Sequence, residues 1–139
     1  MGGIGIPTLH IKVDPTKSVE EQKEVLQNRW HPDIPAIADV KPGEDFIVET
    51  LDWTAGQVKN DDIAIDIRDM DLTPNHHLTG PIYIDGAEPG DLLVVDILDI
   101  GVHEKQQWGF NGIFCKENGG GFLTDHFPHA HKSIWDIKG

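Results

Sequence analysis

The sequence predicts a mainly β (α+β) fold, a β-sandwich or barrel-like scaffold with one short peripheral helix. Short segments in which apolar and polar residues alternate recur along the chain, bounded by proline, glycine and aspartate as strands are by turns. Only one segment carries a helix-start signal. The 139 residues suffice for one domain with its own core, so residues 1–139 are interpreted as a single β-rich unit.

Five segments are predicted to be strands, because alternation places their apolar residues on one face of an extended chain. The fifth of them is the most apolar run in the sequence. In chain order they are residues 9–13, 45–52, 62–68, 81–85 and 91–100.

The other segments are predicted to contain little regular structure. Residues 18–27 begin with Ser18 and Glu21 at capping-box spacing, which predicts one short surface helix. Three prolines in residues 29–43 predict an extended connector. Beyond Gly101 the periodicity weakens into a long glycine-rich stretch, and irregular regions of that kind are usually functional or dependent on a partner.

Two eleven-residue stretches resemble each other: PGEDFIVETLD at 42–52 and PGDLLVVDILD at 89–99. Each begins with Pro-Gly and an acid, which is turn chemistry, and continues as an alternating apolar segment. They are either a duplicated β-unit or two unrelated strands entered by ordinary turns. Each ends in an aspartate on the more apolar face of its strand, Asp52 or Asp99. A carboxylate there caps the next turn, reaches solvent or binds a cation.

Asp52 is the stronger functional candidate of the two, because a Trp-Thr-Ala-Gly loop comes directly after it and loops after strands commonly carry sites. Asp99 is followed by a plain Ile-Gly turn and is predicted to be structural. His76 and His77 lie in a loop before TGPIYIDGAEPGD, and either of them with Asp52 would make a metal-ligand pair. Two ligands are too few for a site, and a solvated loop histidine is the alternative.

Other motifs carry weaker signals. His126, His129 and His131 have metal-ligand spacing but lack a cysteine or a HExxH pattern. Cys115 has no activating neighbour apart from Lys116 and is predicted to be a small packed residue. No serine lies in a G-x-S-x-G elbow, and the glycine triplet at 119–121 matches no phosphate-binding motif.

Composition restricts the class of protein. A net charge of −13 argues against binding nucleic acid or an anionic membrane surface, since both need clustered lysine and arginine. A single cysteine requires no oxidising compartment. The first residues lack the features of a signal peptide, and no apolar run approaches the roughly 18 residues of a membrane span. We therefore expect a cytoplasmic protein.

Four segments together resemble the acetamidase/formamidase family, and formamidases in particular: RWHPDIP, VETLDWT, HLTGPIYIDGAEPGDLLVVDI and GGGFLTDHFP. The resemblance runs from about Lys12 to the last residue, and TGPIYIDGAEPGD at 79–91 is its longest and most specific part. It implies a β-rich fold and a cytosolic hydrolase that releases ammonia and a carboxylate from a short amide, formamide above all. Some relatives also open small lactams. Members are often homo-oligomers, and a divalent metal such as zinc is associated with some of them.

Members of that family are much longer than this chain, so the resemblance implies that residues 1–139 are the N-terminal portion of such an enzyme. Fold and active site would then be incomplete without the C-terminal portion. The expected chemistry is metal-assisted attack by water, with Asp52 and His76 as metal ligands or acid/base groups. Glu49 is a second candidate carboxylate, although its register places it on the opposite face from Asp52. The competing hypothesis is a non-catalytic β-module that only packs or oligomerises.

Overall fold

The computed structural model describes residues 7–138, and their fold is mainly β, as the sequence predicts. Eight short strands occur in this part of the chain, with one α-helix of a single turn and one 3₁₀ turn at Glu20–Gln22. The strands are β1 (Leu9–Ile11), β2 (Leu26–Gln27), β3 (Ala38–Val40), β4 (Phe46–Val48), β5 (Leu78–Thr79), β6 (Ile82–Ile84), β7 (Trp108–Ile113) and β8 (His131–Asp136), and the helix is α1 (Ile65–Arg68).

These strands form four two-stranded sheets. The pairs β1–β4 and β3–β6 are parallel, whereas β2–β5 and β7–β8 are antiparallel. Within residues 7–138 the sheets do not close into a barrel. Each parallel pair joins segments far apart in sequence, so β4 is held beside β1 and β6 is held beside β3. No helix among the described residues is long and apolar enough to cross a bilayer.

Three of the five predicted strands are confirmed in shortened form. The segments at 9–13, 45–52 and 81–85 contain β1, β4 and β6. The prolines of the predicted connector at 29–43 do not prevent a strand, because β3 lies between Pro35 and Pro42 and pairs with β6. The region beyond Gly101, predicted to be irregular, contains the two longest strands, β7 and β8.

The predicted strand at 62–68 is wrong, because its second half is α1. Its isoleucines do not share a buried face: Ile67 is fully buried, whereas Ile63 and Ile65 are exposed. The helical turn directs Ile67 into the core while the carboxylate of Asp66 accepts a hydrogen bond from the Lys59 amide at 2.8 Å. Tertiary bonding therefore overrides the alternating pattern.

The predicted helix at 18–27 is reduced to the 3₁₀ turn at Glu20–Gln22. Its capping box does form, since the Ser18 amide and hydroxyl both donate to Glu21, at 2.9 and 2.7 Å. Helix growth needs an apolar face to bury. Here Leu26 lies instead in β2, buried against β5.

The predicted strand at 91–100 is also wrong for the isolated chain, since these residues form no strand within 7–138. The turn before it nevertheless matches the turn before β4. In one copy the Glu44 amide donates to the Lys41 carbonyl, and in the other the Asp91 amide donates to the Glu88 carbonyl, both at 3.0 Å. In both copies a glycine with positive φ comes after the proline, at +81° in Gly43 and +105° in Gly90. The two copies therefore share their turn and differ in strand pairing, which only the first copy achieves.

The core next to α1 is small. Val58, Ile67 and Met70 form its buried centre. Partly buried apolar side chains pack around that centre: Trp53, Phe110, Phe114 and Ala130. Trp53 is the residue directly after Asp52, so this core anchors the loop that carries the candidate carboxylate.

Candidate active site

Asp52 lies at the start of a tight loop after β4. Its Oδ1 accepts a hydrogen bond from the Thr54 amide at 2.9 Å and another from the Thr54 hydroxyl, and its Oδ2 accepts one from the Gly56 amide at 2.9 Å. The carboxylate therefore caps this turn, one of the alternatives that the sequence left open. Capping also orients the group, and Oδ2, which accepts only one hydrogen bond, keeps a further lone pair for a cation or a proton.

The loop directly after Asp52 is held in place by its own packing. Thr54 is almost completely buried, and Trp53 packs on the core cluster. Ala55 has a φ of +53°, a conformation that side chains with a Cβ rarely adopt. The network of hydrogen bonds and packing around the loop sustains this strain.

His76 and His77 lie beside this loop. The His76 ring contacts the Trp53 indole, with ring centroids 4.8 Å apart. The chain then enters β5, where the Thr79 hydroxyl donates to the Glu49 carbonyl at 2.8 Å, three residues before Asp52. The structure therefore brings the two predicted site segments together, through contacts of Trp53 and Thr79 that span more than twenty residues of sequence.

His77 is electrostatically the more unusual of the two histidines. Burial lowers its pKa, the negative charge of Asp52 opposes that effect, and the resulting pKa lies below the usual value. Its ring is therefore neutral at pH 7. The Nδ1 atom is buried and has no hydrogen-bond partner among residues 7–138. A buried ring nitrogen without a partner is costly, so it is a candidate to bind a proton donor, a substrate or a cation.

Glu49 belongs to a second constellation, built with histidines other than His76 and His77. Its Oε1 lies 2.7 Å from Nε2 of His10, and its Oε2 lies 3.3 Å from Nε2 of His103. Burial raises the pKa of Glu49, but hydrogen bonds from the Val13 amide and the two histidines outweigh it, so the pKa is lowered. Only the tertiary fold reveals this cluster, because its histidines are 39 and 54 residues from Glu49 in sequence.

Lys132 forms a third polar cluster that the sequence did not indicate. Its ammonium group is buried in β8 and donates to Asp66, Asp61 and the Lys59 carbonyl at 2.7, 3.0 and 2.9 Å. Burial lowers the pKa of Lys132, but the two carboxylates outweigh that effect and raise it, so the lysine remains charged. Its three donors are satisfied within the chain, which identifies this cluster as structural.

Residues 12–139 match the acetamidase/formamidase family. The chain is 62% identical to formamidase from Methylophilus methylotrophus over 93% of its own length, and 54% identical to acetamidase from Mycolicibacterium smegmatis over 96%. Among solved structures, it is similar to a gamma lactamase from Delftia acidovorans, with 58% identity and a TM-score of 0.89 over 93% of the chain. It is also similar to acetamidase from Bacillus halodurans, with 27% identity and a TM-score of 0.65 over 83%.

The chain belongs to the acetamidase/formamidase family. It spans about a third of its relatives, 32% of the formamidase, 35% of the acetamidase and 31% of the lactamase chain. The matched residues of this family member include Asp52, His76, His77 and the TGPIYIDGAEPGD segment.

The donor set of this family member is partial. Among residues 7–138 no three or more histidine, cysteine, aspartate or glutamate side chains are placed to hold a metal ion. The unpartnered Nδ1 of His77 and the carboxylate of Asp52 are chemically suited to zinc, so they fit as contributors to a site completed by further donors. His126, His129 and His131 form no such group within the described part of the chain. Cys115 is buried, which confirms its predicted packing role.

Proposed function

We propose that this chain is part of an amidase that hydrolyses a short linear amide, with formamide as its preferred substrate, to a carboxylate and ammonia. The chain would act together with the polypeptide that corresponds to the remaining part of its longer relatives. The observation that carries the proposal is the 62% identity to a formamidase over nearly the whole chain, within a match that includes the Asp52 loop.

Amide hydrolysis makes three chemical demands. A nucleophile must attack a carbonyl carbon that resonance protects, the resulting oxyanion must be stabilised, and the departing nitrogen must be protonated. No serine elbow is present, and the single cysteine is buried without an activating base. Water is therefore the nucleophile that these residues favour.

Asp52 and His76 are the residues to which we assign the site, as metal ligands or acid/base groups. The capping bonds hold the Asp52 carboxylate in one orientation, so a water molecule or cation would meet a preorganised acceptor. His76 lies against Trp53, which limits the orientations available to its ring. His77 joins them as a third candidate, because its neutral ring can accept a proton or coordinate a cation.

A divalent metal, zinc in our proposal, would lower the pKa of a bound water and polarise the amide carbonyl. Asp52 with His76 or His77 would contribute to holding it, and the complementing polypeptide would supply the remaining donors.

A small lactam is the second candidate substrate, favoured by the 58% identity and the TM-score of 0.89 with the gamma lactamase. The chemistry is the same for both substrates, since a lactam is a cyclic amide. Discrimination between them would rest on pocket shape, which separates similar apolar groups by about 1–3 kcal/mol.

The test is ammonia release from formamide by the chain co-purified with the missing part of the Methylophilus methylotrophus formamidase, with and without a chelator. We expect activity in the reconstituted enzyme, little in the chain alone, and loss on chelation that zinc restores. A reconstituted complex that hydrolyses neither formamide nor a γ-lactam would support the non-catalytic packing module instead.

Cytoplasmic location and homo-oligomeric assembly also belong to the proposal. Native mass spectrometry of the reconstituted enzyme would give the number of copies and show whether a second polypeptide accompanies the chain. Cell fractionation would test the location.

A further inference from the structure

Residues 92–100, here called the apolar segment, belong to no sheet in the described part of the chain. Seven of their side chains are aliphatic, and each is between 58% and 91% exposed. The backbone of residues 92–99 makes no hydrogen bond to another backbone group within residues 7–138. Both faces and both edges of the segment are therefore open.

Such exposure is not stable in an isolated strand. Apolar side chains on both faces are typical of a strand buried within a larger structure, and an open apolar edge readily pairs with other strands. A contiguous exposed apolar surface of this kind marks an interaction site.

The first of the two similar stretches, residues 42–52, shows how such a segment pairs. After the shared turn, the first copy becomes β4 and pairs in parallel with β1, and the Glu49 amide donates to the Ile11 carbonyl at 2.9 Å. The 47-residue offset between the copies places Asp96 at the position of Glu49. Among residues 7–138 no strand occupies the position beside Asp96 that β1 occupies beside Glu49.

The accessible surface of the chain is larger than that of a typical folded monomer of the same mass, which indicates that another polypeptide packs on part of it. It amounts to 10,581 Å², whereas a folded monomer of 15.4 kDa exposes about 7,200 Å². The longer relatives indicate which polypeptide this is, because the chain superimposes with a TM-score of 0.89 on only 31% of the gamma lactamase chain. The rest of that longer chain is available to pack on the exposed segment.

We infer that the apolar segment is a strand that receives a short parallel strand from the remaining part of the family chain, the complementing polypeptide. In that pairing the Asp96 amide donates to the incoming strand, as the Glu49 amide does to β1. The inference rests on the complementing polypeptide of the proposed function, but it does not depend on amide hydrolysis.

The experiment is hydrogen–deuterium exchange of the chain alone and co-expressed with the part of the Methylophilus methylotrophus formamidase that this chain does not match. We expect the amides of residues 92–100 to exchange rapidly in the chain alone and at least about tenfold more slowly in the complex. A complex in which these amides still exchange rapidly, or failure of the wild-type chain to form a complex, would overturn the inference. Protection that arises in the chain alone through self-association would also overturn it and assign the surface to a second copy.

Matched variants separate strand pairing from simple apolar contact. Asp96→Pro removes the amide that pairs, whereas Asp96→Asn retains it, so we expect only the proline variant to lose the complex in size-exclusion chromatography. Val95→Glu places a charge on the opposite face and should weaken the complex, whereas Val95→Thr preserves the branched shape and should not. Neither position makes a described backbone bond in the isolated chain, so the fold of the chain should survive these changes.

Equal binding by Asp96→Pro and the wild type would exclude the pairing. Ammonia release is not measured, so a failed amidase assay leaves this result intact.

Discussion

The ammonium group of Lys132 on β8 lies 2.7 Å from the carboxylate of Asp66 on α1, and no part of the lysine side chain is exposed. Asp61 lies 3.0 Å from the same nitrogen, with a carboxylate that is partly open to solvent. The cluster joins the α1 turn to the β7–β8 hairpin. Because Lys132 is buried and all three of its donors are used, loss of one partner leaves the other charged and uncompensated.

Replacement of Lys132 by methionine should destabilise the fold by about 3–5 kcal/mol, since it leaves the Asp66 carboxylate buried without its cation. Chemical denaturation followed by circular dichroism would measure the loss. Lys23→Met is the matched control, because its ion pair with Glu20 is on the surface, and we expect no measurable change there. Equal stability of Lys132→Met and the wild type would show that Asp66 is not held as described.

The Glu49 cluster should make stability depend on pH in the acid range. Because the native pKa of Glu49 lies below its usual value of 4.5, the folded state binds the proton less readily than the unfolded state. The stabilisation is therefore complete well above pH 4.5 and is lost as the pH falls through the lowered native pKa. Glu49→Gln should cost about 1–3 kcal/mol at neutral pH and flatten this acid dependence.

Unfolding curves measured from about pH 3 to neutral pH would test the Glu49 prediction. The exposed Glu24, replaced by glutamine, serves as the control. An acid limb that is equally steep in wild type and Glu49→Gln would assign the pH dependence to other carboxylates.

Asp52→Asn should lower ammonia release by the reconstituted enzyme about 100-fold or more, in the range expected for loss of an acid/base group. The asparagine oxygen can still accept the Thr54 amide, but its NH2 group cannot accept the Gly56 amide, so we expect the turn to form with a modest fall in the thermal midpoint. Asp62→Asn is the matched control, since its side chain is exposed and lies outside both the Asp52 loop and the segment at 92–100. Unchanged activity with unchanged metal content in Asp52→Asn would remove Asp52 from the site.

The two neighbouring histidines should respond differently to replacement by leucine. His76→Leu should lower ammonia release while leaving stability intact, because leucine preserves an apolar contact with Trp53. His77→Leu should leave the thermal midpoint unchanged or raise it, because it removes a buried nitrogen that has no partner in residues 7–138. Full activity in His76→Leu together with loss in His77→Leu would transfer the assigned role to His77.

The local parts of the fold could be predicted well from the sequence. The capping box at Ser18 and the Pro-Gly turns form as expected, because they depend on bonds between residues three apart. The strands β1, β4 and β6 also agree with the alternating pattern. The segments at 62–68 and 91–100 could not be predicted in this way, since alternation specifies a strand only when a partner provides the ladder.

The two segments of the candidate site could be predicted from the sequence, but their proximity in the fold could not. The sequence indicates Asp52 and His76 because a loop comes after the strand and because of the family resemblance. Their proximity depends on Trp53, which packs on the core and on the His76 ring. The unpartnered nitrogen of His77 has no sequence signal at all, because burial of one ring atom depends on everything packed around it.

The family, the β-rich class and the turns can be inferred from the residues alone, since they depend on residue identity and short-range bonding. Which polar groups meet depends on the tertiary structure: Lys132 meets Asp66, Glu49 meets His10, and the Asp52 loop meets His76. The tertiary structure also left the apolar segment at 92–100 without a strand partner in this part of the chain. Burial and strand pairing depend on distant residues that the fold brings together, and no short window of sequence contains both partners.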